Sequence, residues 1–169
     1  MKSFLCIAVL LCTCACFGQT YISLAPSLTN TAGTFAEKGN IAIELGQQWD
    51  VFSLGVDVGK TTLSRVTKRD TSAYIELRPN LNVFQQGKFT NTFTAGIGIV
   101  FNAKENLLTE LTNGIEYAFN TKLHFNVFFG QYFYSGLHSS SDATFFGVSG
   151  AFYFNEITAG SLIKKKPQE

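Results

Sequence analysis

Hydrophobic and polar side chains alternate with a period of two along most of the chain after Gln19, and no stretch there keeps a helical 3.6-residue period. From Phe89 to Phe101 one face carries Phe89, Asn91, Phe93, Ala95, Ile97, Ile99 and Phe101, the other Thr90, Thr92, Thr94, Gly96, Gly98 and Val100. From Leu123 to Tyr134 the same rhythm sets Leu123, Phe125, Val127, Phe129, Gln131 and Phe133 against His124, Asn126, Phe128, Gly130, Tyr132 and Tyr134. A strand carrying such a pattern separates two environments. The pattern predicts eight strands, at 20–28, 40–47, 49–59, 72–84, 88–102, 107–118, 122–134 and 143–154. Tight turns are expected at Gln47-Gln48, Gln85-Gln86-Gly87 and Asn120-Thr121, and longer polar connections at 29–39, 60–71 and 135–142, with a shorter one at 102–106. Short and long connections alternate, as in an up-and-down meander.

Sorting residues by strand face narrows the architecture. One face carries Ile22, Leu24, Ile41, Ile43, Leu45, Phe52, Leu54, Val56, Ile75, Leu77, Leu81, Val83, Leu111, Ile115, Phe146, Val148, Phe152 and Phe154, without a single charge. The opposite face carries small residues such as Ser23, Ala25, Ser27, Ala42, Gly46, Gly55, Gly114 and Gly147, with isolated charges between them. A water-facing surface would be dressed in Lys, Glu and Arg. A narrow barrel lumen needs small residues for room and polar groups that satisfy one another. A wall facing lipid excludes charge, because Lys or Arg at its midplane costs up to ~4 kcal/mol. The expected fold is therefore all-β, an eight-stranded antiparallel up-and-down transmembrane β-barrel, with a soluble lipocalin-like barrel or sandwich as the alternative.

The N-terminus adds an address. Lys2 precedes the apolar run Phe4–Leu11, and Cys16-Phe17-Gly18 before Gln19 fits a signal-peptidase site. The expected organisation is a signal peptide at 1–18, a barrel at 19–154 and a C-terminal tail at 155–169. All four cysteines lie in the first sixteen residues, so disulfides and thiolate metal sites are excluded from the barrel. Lipidation at Cys14 or Cys16 is the alternative to plain cleavage, although Thr13 spoils the usual spacing for both. Composition fits the same picture: 15% of residues are charged, 14% are aromatic and the net charge is +1. Disorder and nucleic-acid binding both require a charge excess this chain lacks.

With its leader, its eight alternating strands and aromatic strand ends such as Phe128-Phe129 and Phe152-Tyr153-Phe154, the chain resembles the small outer-membrane barrels of the outer membrane protein A and X type. It resembles still more the abbreviated porin-like barrels of Bacteroidota. That resemblance implies a Gram-negative outer-membrane location, membrane lipids and the barrel-assembly machinery as partners, and no cofactor. Members of the family usually end at an aromatic residue closing the last strand. Here the chain continues from Asn155 to Glu169, so the assembly signal would be internal, at Gly147 to Phe154.

Candidate chemistry is sparse. The inward charges are Glu44, Asp57, Glu76, Glu110, Glu116, Arg78 and His124. A buried guanidinium needs carboxylate partners and its fork can take two. Heights counted from the short-turn end predict a lumenal network centred on Arg78, with Asp57 and Glu76 nearest. Gly55–Thr62 (GVDVGKTT) imitates a phosphate-binding loop, but Leu54 stands where the motif needs its first glycine and no helix follows. His138-Ser139-Ser140 faintly resembles the His-x-Ser of lipid A deacylases, yet its acid is missing from the last strand, which contains no Asp or Glu. Lys60, Arg65, Lys68 and Arg69, facing Asp70, form a basic loop suited to lipopolysaccharide headgroups. No metal-ligand spacing exists, since the two histidines lie fourteen residues apart. The expectation is a monomeric, non-enzymatic membrane protein with a structural or surface-interaction role and a plugged lumen. The alternatives are a minor small-solute channel and a lipid A-modifying enzyme.

Overall fold

A computed structural model describes residues 18–31, 34–35, 39–64, 69–101, 106–135 and 142–154. The elements are β1 (Gln19–Thr31), β2 (Thr34–Phe35), β3 (Asn40–Trp49), β4 (Phe52–Ser64), β5 (Arg69–Gln86), β6 (Phe89–Val100), β7 (Asn106–Ala118), β8 (Leu123–Ser135) and β9 (Ala143–Tyr153). Every pairing is antiparallel between neighbours, and β1 pairs with β9 from Tyr21↔Tyr153 to Thr31↔Ala143, which closes the sheet. The two-residue β2 only extends the end of β1. The remaining eight strands form a closed antiparallel barrel with no helix among the described residues. The cysteine-rich leader, the tail after Phe154 and the loop residues Arg65, Lys68, His138, Ser139 and Ser140 lie outside the described residues.

The strands coincide with the alternating segments because closure leaves no other way to satisfy backbone groups beside an apolar exterior. They run longer than expected in the first half of the chain. β1 spans 13 residues and β4 and β5 pair as far as Ser64↔Arg69, so the expected connection at 60–71 shrinks to 65–68.

The first hairpin corrects the expected turn. Gln47 and Gln48 stay in the ladder, paired with Leu54 and Ser53, and the chain reverses at Asp50-Val51 beyond Trp49↔Phe52. Asp50 has φ 49°, a left-handed conformation that a short polar side chain tolerates and glutamine disfavours. The second hairpin turns at Gly87-Lys88, where Gly87 has φ 62° and Gln86 pairs with Phe89. In the third, the Asn120 side chain accepts hydrogen bonds from the backbone amides of Lys122 and Leu123, both at 2.8 Å. An irregularity between Asn82 and Phe84 inserts one extra residue into β5, which leaves Val83 and Phe84 both exposed.

The two faces divide as the alternation requires. Ile22, Leu24, Ile43, Leu45, Val56, Ile75, Leu77, Leu111, Ile115, Val127, Phe129 and Val148 point outward and are exposed. The core is the lumen. Its end away from the short turns is packed by Tyr74, Tyr132, Tyr134, Phe145, Val100 and Leu108. Tyr132 stacks on Phe145 with ring centroids 4.1 Å apart and 20° between planes, and Phe128 meets the same ring edge-on at 6.0 Å. Room for these rings comes from absent side chains: a Cβ on Gly130 would meet the Phe145 ring, and one on Gly147 the Phe128 ring.

Candidate functional site

The polar interior begins where the aromatic packing ends. Arg78 reaches inward from β5 and donates from Nη1 to Glu44 Oε2 and from Nη2 to Glu110 Oε1, both at 2.7 Å. Neither partner is on an adjacent strand. Glu44 belongs to β3 and Glu110 to β7, two strands away on either side. What lets the guanidinium reach them is the register. Arg78 pairs with Gly55 on β4, and the pairings Leu77↔Ile97 and Asn80↔Thr94 bring Gly96 of β6 opposite its other edge. A Cβ on Gly55 would strike the Glu44 carboxylate, and one on Gly96 would strike the Glu76 carboxylate and Glu110 Cβ. The missing side chain at Gly55 thus makes room for the Glu44 carboxylate that Arg78 binds, and the one at Gly96 makes room chiefly for Glu76.

Each carboxylate bonded to Arg78 also accepts a hydroxyl. Tyr21 Oη donates to Glu44 Oε1 at 2.5 Å, and Thr112 Oγ1 donates to Glu110 Oε1 at 2.6 Å. Such secondary donors offset the cost of removing the ions from water. The assembly is strongly dehydrated, with Arg78, Glu44 and Glu110 side chains 12%, 8% and 1% exposed.

Asp57 and Glu76, expected nearest to Arg78, are not its hydrogen-bond partners. They face each other across β4 and β5, and Asp57 Oδ2 accepts instead from Tyr74 Oη at 2.6 Å. Both oxygens of Glu76 and the Oδ1 of Asp57 accept no hydrogen bond among the described residues. Adjacency was the wrong criterion, because directly paired side chains leave the sheet side by side, whereas a long arginine bridges to groups that converge across the lumen. Glu116 departs from the expected network too. Its Oε1 lies 2.7 Å from Nδ1 of His124 on β8, and the His124 ring packs on Tyr153 with centroids 4.6 Å apart.

Between the Arg78 cluster and the short turns lies a polar cavity of about 70 Å³. Glu44, Arg78, Asn80, Glu116, His124 and Asn126 are among the residues that line it. At roughly 10–15 Å³ of such volume per water, it has room for a handful of water molecules. Nearby, Tyr153 Oη donates to Gln48 Oε1 at 2.7 Å, and Thr94 donates to Asn80 Oδ1. At the opposite end Thr61 and Tyr134 hydroxyls are 2.7 Å apart, and Asn40 Nδ2 donates to Thr29 Oγ1 at 2.5 Å. The lumenal network expected from the sequence contains none of Tyr21, Thr112 and Tyr153, although alternation already places Thr112 inward. Tyr21 was accessible by parity alone, two residues before inward Ser23; the Thr112 contact depends on side-chain direction and carries no sequence signal.

Of the basic loop, Arg69 opens β5 opposite Ser64 rather than lying in a connection, and Lys60 is part of β4. It lies on the outer face near the end of β4 away from the short turns, exposed, and its strand neighbour is Ala73. Asp142, the acid nearest to the His-Ser segment, is exposed. No group of three or more His, Cys, Asp or Glu among the described residues could hold a metal ion.

No family model matches the chain, and no curated protein sequence matches it. Solved structures do match. Neisserial surface protein A superposes with a TM-score of 0.63 at 9% identity, over 81% of this chain and 97% of that one. Outer membrane protein H (OprH) from Pseudomonas aeruginosa, solved in DHPC micelles, gives 0.58 at 9% identity over 80% and 99%. The N-terminal β-barrel domain of P. aeruginosa OprF gives 0.52 at 14% identity over 80% and 99%. At such identities the likeness is one of fold: the chain has the closed eight-stranded antiparallel barrel of small outer-membrane proteins.

Proposed function

We propose that this chain is an integral outer-membrane protein with a structural or surface-interaction role and a lumen closed by its own side chains. The observation that carries the reading is the division of the wall. Its outward face is a band of exposed aliphatic and aromatic side chains, while Glu44, Asp57, Glu76 and Glu110 are buried inside. Such a surface would aggregate in water, and in a bilayer it meets the solvent it matches. Both ends of the strand circuit, Gln19 and Tyr153, lie at the short-turn end, which fits the usual orientation with short turns in the periplasm. In that orientation Lys60 stands at the outer rim, where an ammonium suits lipopolysaccharide phosphates. The abbreviated porin-like barrels of Bacteroidota are the family we favour, with the aromatic end of β9 as the assembly signal. A non-enzymatic role is supported by the Arg78, Glu44 and Glu110 cluster, whose charged groups bind one another in the buried lumen.

The test is fractionation combined with gel migration. The expected result is recovery in the outer-membrane fraction after a carbonate wash, with a folded band that shifts on boiling. Release by carbonate, or one migration before and after heating, would overturn the membrane barrel. The channel alternative rests on the polar cavity, and discrete current steps in planar bilayers would favour it.

A further inference from the structure

The outward wall is not the same all the way round. On β3, β4 and β5 its middle is made of residues such as Ile43, Val56, Ile75, Leu77 and Leu81. On the other side polar residues take outward positions in four successive strands: Asn91 on β6, Asn113 on β7, Gln131 on β8 and Thr144 on β9. The register aligns them into a diagonal stripe. Asn91 faces Ile115, Asn113 faces Phe93 and Phe129, and Gln131 faces Leu111 and Thr144.

The two asparagines satisfy one another. Asn91 Nδ2 donates to Asn113 Oδ1 at 3.2 Å and to the Gly114 carbonyl at 3.1 Å, and Asn113 Nδ2 donates to Asn91 Oδ1 and the Thr92 carbonyl at 3.3 Å. The Gln131 side chain makes no hydrogen bond among the described residues. It lies between outward Phe129 and Phe133 on its own strand, inside the apolar band. Together with Phe93, Leu111 and Asn113 these residues line a shallow outward groove of about 230 Å³.

An amide facing hydrocarbon without a partner is costly, and acyl chains offer it none. Lipid headgroups supply donors and acceptors only at the rims. A partner must therefore present both a donor and an acceptor at the depth of Gln131. A carboxamide is both at once, and a second copy related by a two-fold axis along the membrane normal carries its own Gln131 at the identical depth. We infer that the outer face of β6–β9, centred on Gln131, is an interface with a second copy of this chain within the bilayer. This rests on the membrane location proposed above, and it replaces the monomer expected from sequence.

The test is crosslinking in outer-membrane vesicles carrying the full chain. Residues 19–169 contain no cysteine, so Phe129→Cys places one thiol beside the stripe and Leu77→Cys one on the opposite wall. A short bismaleimide should yield a covalent dimer from Phe129→Cys and none from Leu77→Cys or the unsubstituted chain. Adding Gln131→Leu to Phe129→Cys should lower the dimer yield about fivefold, the scale of an interhelical-type polar contact in a membrane, with heat-modifiable migration retained. Equal yields from both cysteines, or no dimer from a folded Phe129→Cys barrel, would overturn the interface. A single barrel that retains lipid A in native mass spectra, and loses it on Gln131→Leu, would overturn it in favour of a lipid site. Recovery outside the outer-membrane fraction would overturn the membrane reading and this interface with it.

Discussion

At the scale of single residues, Arg78 is the group on which the lumen depends. It bridges two carboxylates that lie two strands away on either side, and each of those is further held by a hydroxyl. Removing one member of a buried pair leaves an uncompensated charge, at a cost of about 3–5 kcal/mol. Arg78→Met should therefore lower stability by that order, measured by urea unfolding in detergent or lipid and followed through the sole tryptophan, Trp49. Adding Glu44→Gln and Glu110→Gln to the same chain should recover much of the loss, since neutral amides no longer need the cation. Equal stability of Arg78→Met and the parent would remove the cluster from any structural account. Gly55 belongs to this argument as firmly as the charges do. A methyl there would meet the Glu44 carboxylate, which Arg78 and Tyr21 pin in place and which cannot move aside freely.

At the scale of elements, the barrel is held together by register, and register depends on turns and on glycines at close approaches. Gly87 sits at φ 62° in the β5–β6 turn, a conformation that costs an L-residue about 1–2 kcal/mol. Gly87→Ala should lose stability on that scale although a Cβ there meets nothing within 4 Å. Equal stability would mean that the turn relaxes instead. Within the sheet, Gly98 and Gly150 make a sharper pair. A Cβ on Gly98 would collide with the Ile75 carbonyl and the Glu76 backbone, whereas one on Gly150 would meet Phe125 at an ordinary 3.8 Å. Gly98→Ala is expected to cost about 1–3 kcal/mol through forced backbone movement, and Gly150→Ala to be close to neutral in the same unfolding measurement. Similar effects at both positions would contradict the packing described for β5 and β6. The alternation made both glycines legible as strand residues; which of them faces a neighbouring backbone follows only from the cross-strand register.

At the scale of the whole molecule, the lumen is graded. Its short-turn end contains the small polar cavity, its middle is crossed by the Arg78 cluster, and its far end is filled by Tyr74, Tyr132, Tyr134 and Phe145. On the proposal of a closed lumen, the expected electrical behaviour is silence in planar bilayers, because Tyr74, Tyr132, Tyr134 and Phe145 pack together at that end. Shaving the stacked pair by Tyr132→Ala with Phe145→Ala should introduce small, brief openings, provided the variant keeps its heat-modifiable migration. Steps of equal size in parent and variant would place the path elsewhere and return the channel reading to first place. The outer surface has its own asymmetry, wholly apolar in the middle of β3–β5 and striped with polar residues across β6–β9, so the molecule has a side as well as two ends.

Much of this was decided locally. Period-two alternation, the absence of charge from one face, the small residues of the other and the turn-forming segments are properties of consecutive residues, and together they specify eight strands, their inward sets and a closed meander. Tyr74, Tyr132 and Phe145 could be placed in the lumen on parity alone. What parity cannot express is who meets whom. The partners of Arg78 are Glu44 and Glu110 rather than Asp57 and Glu76, because contact across a barrel depends on strand stagger, on the length of the arginine and on the empty position at Gly55. The reversal at Asp50-Val51 depended on which residue tolerates a left-handed backbone once the ladder had carried Gln47 and Gln48 into β3. The diagonal of Asn91, Asn113, Gln131 and Thr144 appears only when four strands are laid side by side. Sequence alone determined which residues face inward and which outward, since that is set by each strand's own alternation; tertiary structure decided their pairing, since that requires the strands to be placed against one another.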